Sequence, residues 1–199
     1  MSFARSISAR IVVGASVVLG TVAAITTHGW SEKVAPTRAA KAYHRAAGTG
    51  PAYWGPGDLY TFLATGKETG GAYFQFEAVV PAAGGPPPHI HLDKDESFYI
   101  IEGELEMYLG DATVKAKAGD FVNVPHGTTH NFKNVGPKPA KLLATFVPAG
   151  MEDYFMEVFD PAVDRNATPP PITDALIQKM IAAAPKHKLE ILPPPATAK

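Results

Sequence analysis

Gly119-Asp-Phe-Val-Asn-Val-Pro-His-Gly-Thr-Thr-His-Asn-Phe-Lys-Asn134 decides the reading of this chain, taken with the earlier stretch His89-Ile-His-Leu-Asp-Lys-Asp-Glu96. Successive side chains of an extended segment alternate faces, so His89 and His91 share a face if their segment is a strand. Asp93-Lys-Asp95 has the composition of a turn. The following Ser97-Phe-Tyr-Ile-Ile101 is aromatic and β-branched, so Glu96 opens the next strand and its carboxylate can fold back to join the two imidazoles.

The later stretch completes the set. Gly119 and Gly127 permit tight turns at the two ends of a short strand, Phe121 to Val124, and Pro125 stiffens its exit. His130 then falls in another strand. Three neutral imidazoles and one carboxylate suit a divalent transition metal, whether iron, manganese, nickel, cobalt, copper or zinc, and the donor set does not choose among them. His28, His44, His126 and His187 lack partners at ligand spacing and read as ordinary residues. His126, between Pro125 and Gly127, could at most support a ligand from behind.

At these residues the chain resembles the cupin superfamily. The pattern G-x5-P-x-G-x2-H-x3-N is matched by Gly119, Pro125, Gly127, His130 and Asn134. The pattern G-x5-H-x-H-x3-4-E-x6-G is matched by His89, His91, Glu96 and Gly103, with one departure: Ala83 stands where the first glycine belongs. The resemblance implies an all-β fold, a single cupin (double-stranded β-helix or jelly-roll) barrel, with His89, His91, Glu96 and His130 as metal ligands.

Composition agrees with one such domain. The chain has 199 residues, 46% of them hydrophobic, enough for one substantial core with extensions at each end. Its net charge of −1 gives no basic face for nucleic acid. It has no cysteine, which excludes disulfides and thiolate ligands. Arg5 and Arg10 precede the apolar run Ile11 to Ile25, short for a membrane span and suited to a secretory leader, so residues 1–30 read as a signal peptide or membrane anchor of an exported protein. Residues 31–57 read as a linker or an arm, 58–160 as the barrel, and 161–199 as a C-terminal helix and tail.

Strands are expected at Leu59–Ala64, Ala72–Val80, Glu96–Ile101, Glu104–Leu109, Thr113–Ala118, Phe121–Val124, Thr129–Asn134 and Lys141–Val147, with a hairpin turn at Gly110-Asp111. Met151 to Phe159 reads as a strand or a short helix. Thr173 is the expected N-cap of a helix running to Ala184, ended by Pro185, with an apolar stripe of Leu176, Ile177, Met180 and Ile181 for core packing. The tail around Pro193 to Pro195 is expected to be disordered.

Parity extends the site. If Glu96 faces inward so do Phe98 and Ile100, and if His130 does so does Phe132. Phe98 and Phe132 are therefore candidate pocket walls, although both could equally be barrel filling. Tyr53-Trp-Gly-Pro-Gly57, Thr65 to Gly71 and Pro86-Pro-Pro-His89 resemble the single-domain cupins related to quercetin 2,3-dioxygenase. That resemblance implies a small-molecule substrate, phenolic in the flavonol-cleaving members, opened by dioxygen with loss of carbon monoxide. Glu96 would then double as the catalytic base. A metal-dependent isomerase or epimerase, or a cupin that only binds a small molecule, shares the same features. An oligomer is compatible with all of them.

Overall fold

Strict alternation of buried and half-buried side chains along Phe74 to Val80 and along Ala140 to Phe146 marks two strands with one face toward a core. They pair antiparallel, from Phe74 opposite Phe146 to Val80 opposite Ala140. The computed structural model describes residues 41–193. In chain order it contains β1 (Ala52–Trp54), β2 (Leu59–Ala64), the short helix α1 (Gly66–Thr69), β3 (Phe74–Val80), β4 (His89–His91), β5 (Asp95–Glu102), β6 (Glu104–Leu109), β7 (Ala112–Lys117), β8 (Phe121–Val124), β9 (His130–Asn134) and β10 (Ala140–Val147). These are followed by α2 (Met151–Val158), β11 (Asp160–Pro161), α3 (Asp174–Ala183) and β12 (Leu189–Ile191).

The strands form two antiparallel sheets, ordered β11-β1-β2-β3-β10-β5-β8 and β12-β4-β9-β6-β7. Their facing sides enclose one core, and the architecture is an all-β jelly roll with a C-terminal helix. Phe62, Phe74, Phe76 and Phe146 fill one end of it, and Phe155 of α2 closes over them, with ring centroids 5.8 Å from Phe74 and 5.4 Å from Phe76. Truncating any one of these rings would cost about 3–5 kcal/mol.

The structure refines several expectations. The strand expected from Ala72 begins at Phe74, and Ala72 and Tyr73 are exposed. Met151 to Val158 is a helix, because Met151, Tyr154, Phe155 and Val158 recur at helical spacing and are all buried on one side. Thr173 caps α3, its hydroxyl accepting a hydrogen bond from the Leu176 amide at 3.2 Å. The helix stops at Ala183, and Pro185 lies in the 3-10 turn Ala184–His187 that follows. The expected apolar stripe of α3 is split: Met180 is buried, but Ile177 and Ile181 are 40% and 45% exposed.

Two strands lie in the segments read as extensions. Ala52–Trp54 of the arm pairs with β2, and Leu189–Ile191 of the C-terminal segment pairs with β4. The proposed leader or anchor at 1–30 and the tail beyond Pro193 lie outside the described residues. Among the described residues, no helix is long and apolar enough to cross a membrane.

Candidate metal centre

Three of the four candidate ligands stand on one sheet and the fourth on the other. His89 and His91 are two residues apart on β4 and share a face. β9 lies beside β4 with His130 directly opposite His89, so the two rings approach to 4.3 Å between centroids. Glu96, on β5 of the other sheet, reaches across to them. One candidate donor atom from each of the four residues lies within 4.8 Å of the other three. His91, Glu96 and His130 are 4%, 5% and 1% exposed, so the cluster sits inside the barrel.

Two backbone carbonyls orient the His89 and His130 rings so that each Nε2 is turned toward the cluster. His89 Nδ1 donates to the Pro87 carbonyl at 2.9 Å and His130 Nδ1 to the Thr128 carbonyl at 3.0 Å. A carbonyl can only accept, so in both rings Nδ1 carries a proton and Nε2 is the atom that could ligate a cation. His91 is buried with no hydrogen-bond partner for either nitrogen. Its Nε2 is 3.2 Å from Glu96 Oε2 but outside hydrogen-bond geometry. A buried imidazole with both nitrogens orphaned is costly unless something else in the site takes a lone pair. The donor set thus fits a divalent transition metal, with His89, His91, His130 and Glu96 able to hold it.

The electrostatics agree. Burial, with His130 and His91 close by, pushes the His89 pKa down to about 3, so this ring is neutral and its lone pair available. Burial pushes Glu96 up, but the His130 hydrogen bond and the close approach of the His91 ring outweigh it and hold the carboxyl down at about 2. Burial likewise opposes charge on His130, yet the Glu96 carboxylate 2.8 Å from its Nε2 raises its pKa overall.

The cluster opens on a cavity of about 60 Å³. Phe98 and Phe132 line it, with rings edge to face at 5.7 Å between centroids, and both also belong to the hydrophobic core. They are at once wall and filling. Pro56, Pro86, Pro87 and Met180 also line it, together with residues that carried no signal in the sequence: Tyr60, Phe76 and Phe146 from the sheet, Tyr154, Phe155 and Phe159 from in and beside α2, and Leu189 and Ile191 from β12. Helical spacing marked α2 as amphipathic, but nothing local told which cavity its apolar side would close. The two phenols are already engaged, Tyr60 with Asp58 Oδ2 at 3.4 Å and Tyr154 with the Met180 carbonyl at 3.1 Å. His126 stands apart from the cluster, on the surface, where Asp95 Oδ1 accepts from its Nδ1 at 2.7 Å. Asp93 pairs with Lys94.

Residues 76–146 match the model of the Cupin domain family. Quercetin 2,3-dioxygenase of Bacillus subtilis (strain 168) is 27% identical over 103 residues, which covers 52% of this chain and 30% of that protein. An uncharacterised protein of Methanocaldococcus jannaschii is 35% identical over 78 residues, covering 39% of this chain and 62% of its own length. The chain therefore spans less than two thirds of each of these curated relatives. A solved structure titled a predicted oxalate decarboxylase, from Thermotoga maritima, superimposes with a TM-score of 0.50 at 20% identity, covering 54% of this chain and 99% of that one, which is a likeness of fold alone.

Proposed function

Since the chain belongs to the cupin superfamily, we propose that it is a metal-dependent dioxygenase that opens a flavonol or a related enolisable phenolic with dioxygen. The observation that carries this reading is the composition of the chamber. His89, His91 and Glu96 stand in a wall otherwise made of aromatic and aliphatic side chains, with His130 beside His89, and both phenols in the wall have their hydroxyls engaged elsewhere. A polyhydroxylated sugar, the natural substrate class for an epimerase or isomerase, would lose its hydration there and find almost no hydrogen bonds in return. A flat aromatic with one acidic hydroxyl loses little, and its hydroxyl-bearing edge gains contact with Phe98 and Phe132. The sequence relationship to the Bacillus subtilis quercetin 2,3-dioxygenase supports the same substrate class.

Bound in this set, a divalent cation would supply the Lewis acidity that favours an anionic oxygen, together with the redox capacity for dioxygen. The chain's own part is to hold the ring plane, exclude water and move one proton. Glu96 is the group to take the hydroxyl proton of the substrate. It would take that proton while loosened from the cation, whose charge otherwise keeps the carboxylate ionised. Export from the cytoplasm, directed by residues 1–30, is part of the proposal and rests on the sequence of that segment.

The test is to load purified protein with each candidate metal, add quercetin in air, and measure oxygen consumption and carbon monoxide release. Both signals should appear together and in equal amounts. Turnover that persists without oxygen would identify an isomerase instead, and binding with neither gas signal would identify a carrier.

A further inference from the structure

The inner chamber is too small for the substrate that its chemistry suits. At about 60 Å³ it holds a cation and a few small atoms, whereas sites for drug-sized ligands run to about 300–1,000 Å³. A second cavity of about 430 Å³ lies next to it. The two share Pro56, Pro87, Met180 and Ile191 as lining residues, so a single layer of side chains divides them. The outer cavity is closed on its far side by Ile172, Ile177 and Ile181, three isoleucines that are 54%, 40% and 45% exposed. Among the described residues, no charged side chain lines it.

We propose that this outer cavity, between α3 and the β4–β12 edge, is the subsite for the apolar aromatic body of the substrate, while the inner chamber takes only its oxygen-bearing end. The inference rests on the function proposed above and adds where the selectivity of that site is built. Adjacency to the inner chamber across shared lining residues and a volume in the ligand range argue for a small molecule as the occupant. Exposed isoleucines clustered on one rim are otherwise an unfavourable way to present helix surface to water. Of the lining residues, only Gly85 and Pro87 fall within the stretch 76–146 that matches the family model. Most of the outer subsite therefore comes from the chain's own C-terminal segment, with Pro56, rather than from the stretch shared with the family. Met180 is the side chain of the dividing layer best able to move aside, being unbranched and flexible.

Two probes separate this subsite from the metal chemistry: 3-hydroxyflavone, which has the acidic hydroxyl, and flavone, which lacks it. Binding of each to the full chain is measured by fluorescence or absorbance titration, with and without metal. The wild-type protein should bind both, and metal should tighten only 3-hydroxyflavone. A double variant, Ile177→Glu with Ile181→Glu, places carboxylates on an already exposed helix face and leaves the core intact. It should weaken both probes by about tenfold or more, because the apolar body would then meet charge, with metal content unchanged. If flavone fails to bind the wild type, or binds the double variant as tightly, the outer subsite is overturned. If flavone behaves as stated but metal adds nothing to 3-hydroxyflavone binding, the subsite stands and the flavonol reading of the metal centre fails.

Discussion

His130 Nε2 lies 2.8 Å from Glu96 Oε2, and this contact joins the two sheets of the barrel, β9 on one side and β5 on the other. Its partner nitrogen Nδ1 donates to the Thr128 carbonyl. A carboxylate at one nitrogen and a carbonyl at the other favour the doubly protonated ring, in line with its raised pKa. Ligation needs the Nε2 lone pair, so a cation must displace that proton.

Metal uptake is therefore expected to release at least one proton per site and to weaken as pH falls. The sign follows from His130, whose raised pKa makes protons compete at higher pH than for a free imidazole. His89, held at about 3, and Glu96, held at about 2, do not compete near neutrality. Apparent affinity should drop by up to about tenfold per pH unit per proton released. Calorimetric titration in buffers of different ionisation enthalpy measures the proton count directly, and a count of zero would show that His130 Nε2 holds no proton in competition with the cation.

Glu96→Gln should cost turnover more than metal content. The amide can still approach a cation but cannot accept a proton, so kcat should fall by about 100-fold or more, while metal content measured on the same sample falls far less. Unchanged turnover would leave Glu96 with no proton-transfer role.

Asp58 carries a pH-dependent stability term of its own. It is fully buried, with Oδ1 unpartnered and Oδ2 accepting from Tyr60. Burial lifts its pKa from 3.8 to about 7, and the Tyr60 hydrogen bond offsets this only in part. The folded protein thus keeps a proton that the unfolded chain gives up. Stability from this group is complete at low pH, declines as pH rises past the unfolded value, and is fully lost above about pH 7, a difference on the order of 4 kcal/mol. Thermal denaturation of Asp58→Asn against the wild type should show the variant gaining ground up to about pH 7 and a constant gap beyond it. A gap independent of pH would mean that Asp58 ionises normally in the fold.

Ala83 marks the one departure from the family pattern, and the structure shows what that departure costs. Its φ is +64°, the left-handed region that a glycine at this position would enter freely, and its amide donates to the Asn134 carbonyl at 3.0 Å. Left-handed backbone costs a side-chain-bearing residue about 1–2 kcal/mol, part of which the greater unfolded freedom of glycine cancels. Ala83→Gly should accordingly stabilise the protein by up to about 1 kcal/mol, or about 2–4 °C in Tm. A loss of stability would place the required conformation elsewhere in the turn.

The barrel and its four central side chains were legible because their signals are local. His89 and His91 are two residues apart, Glu96 follows one turn later, and Gly119 to Asn134 sets its own turns. The chamber wall was less legible because it is built by closure over long sequence distances. Leu189 pairs opposite His91, nearly half the chain away, and no periodicity in three residues announces that partner. α3 shows the converse difficulty: a four-residue apolar cluster looks the same whether it packs into a core or, as Ile177 and Ile181 do, faces an open cavity. Asp58 was invisible for a similar reason, since an aspartate beside glycines reads as a turn residue until its burial is known.

Metal content is the measurement that bears most directly on the central claim, that His89, His91, Glu96 and His130 together hold one divalent transition metal. The full chain, purified and exchanged free of loose ions, should carry about one such metal per chain by elemental analysis. His89→Ala, His91→Ala and His130→Ala should each lower that occupancy sharply, while circular dichroism shows the same β-sheet signature, since the aromatic core does not depend on those rings. Full occupancy retained in all three variants, with the fold intact, would contradict the account.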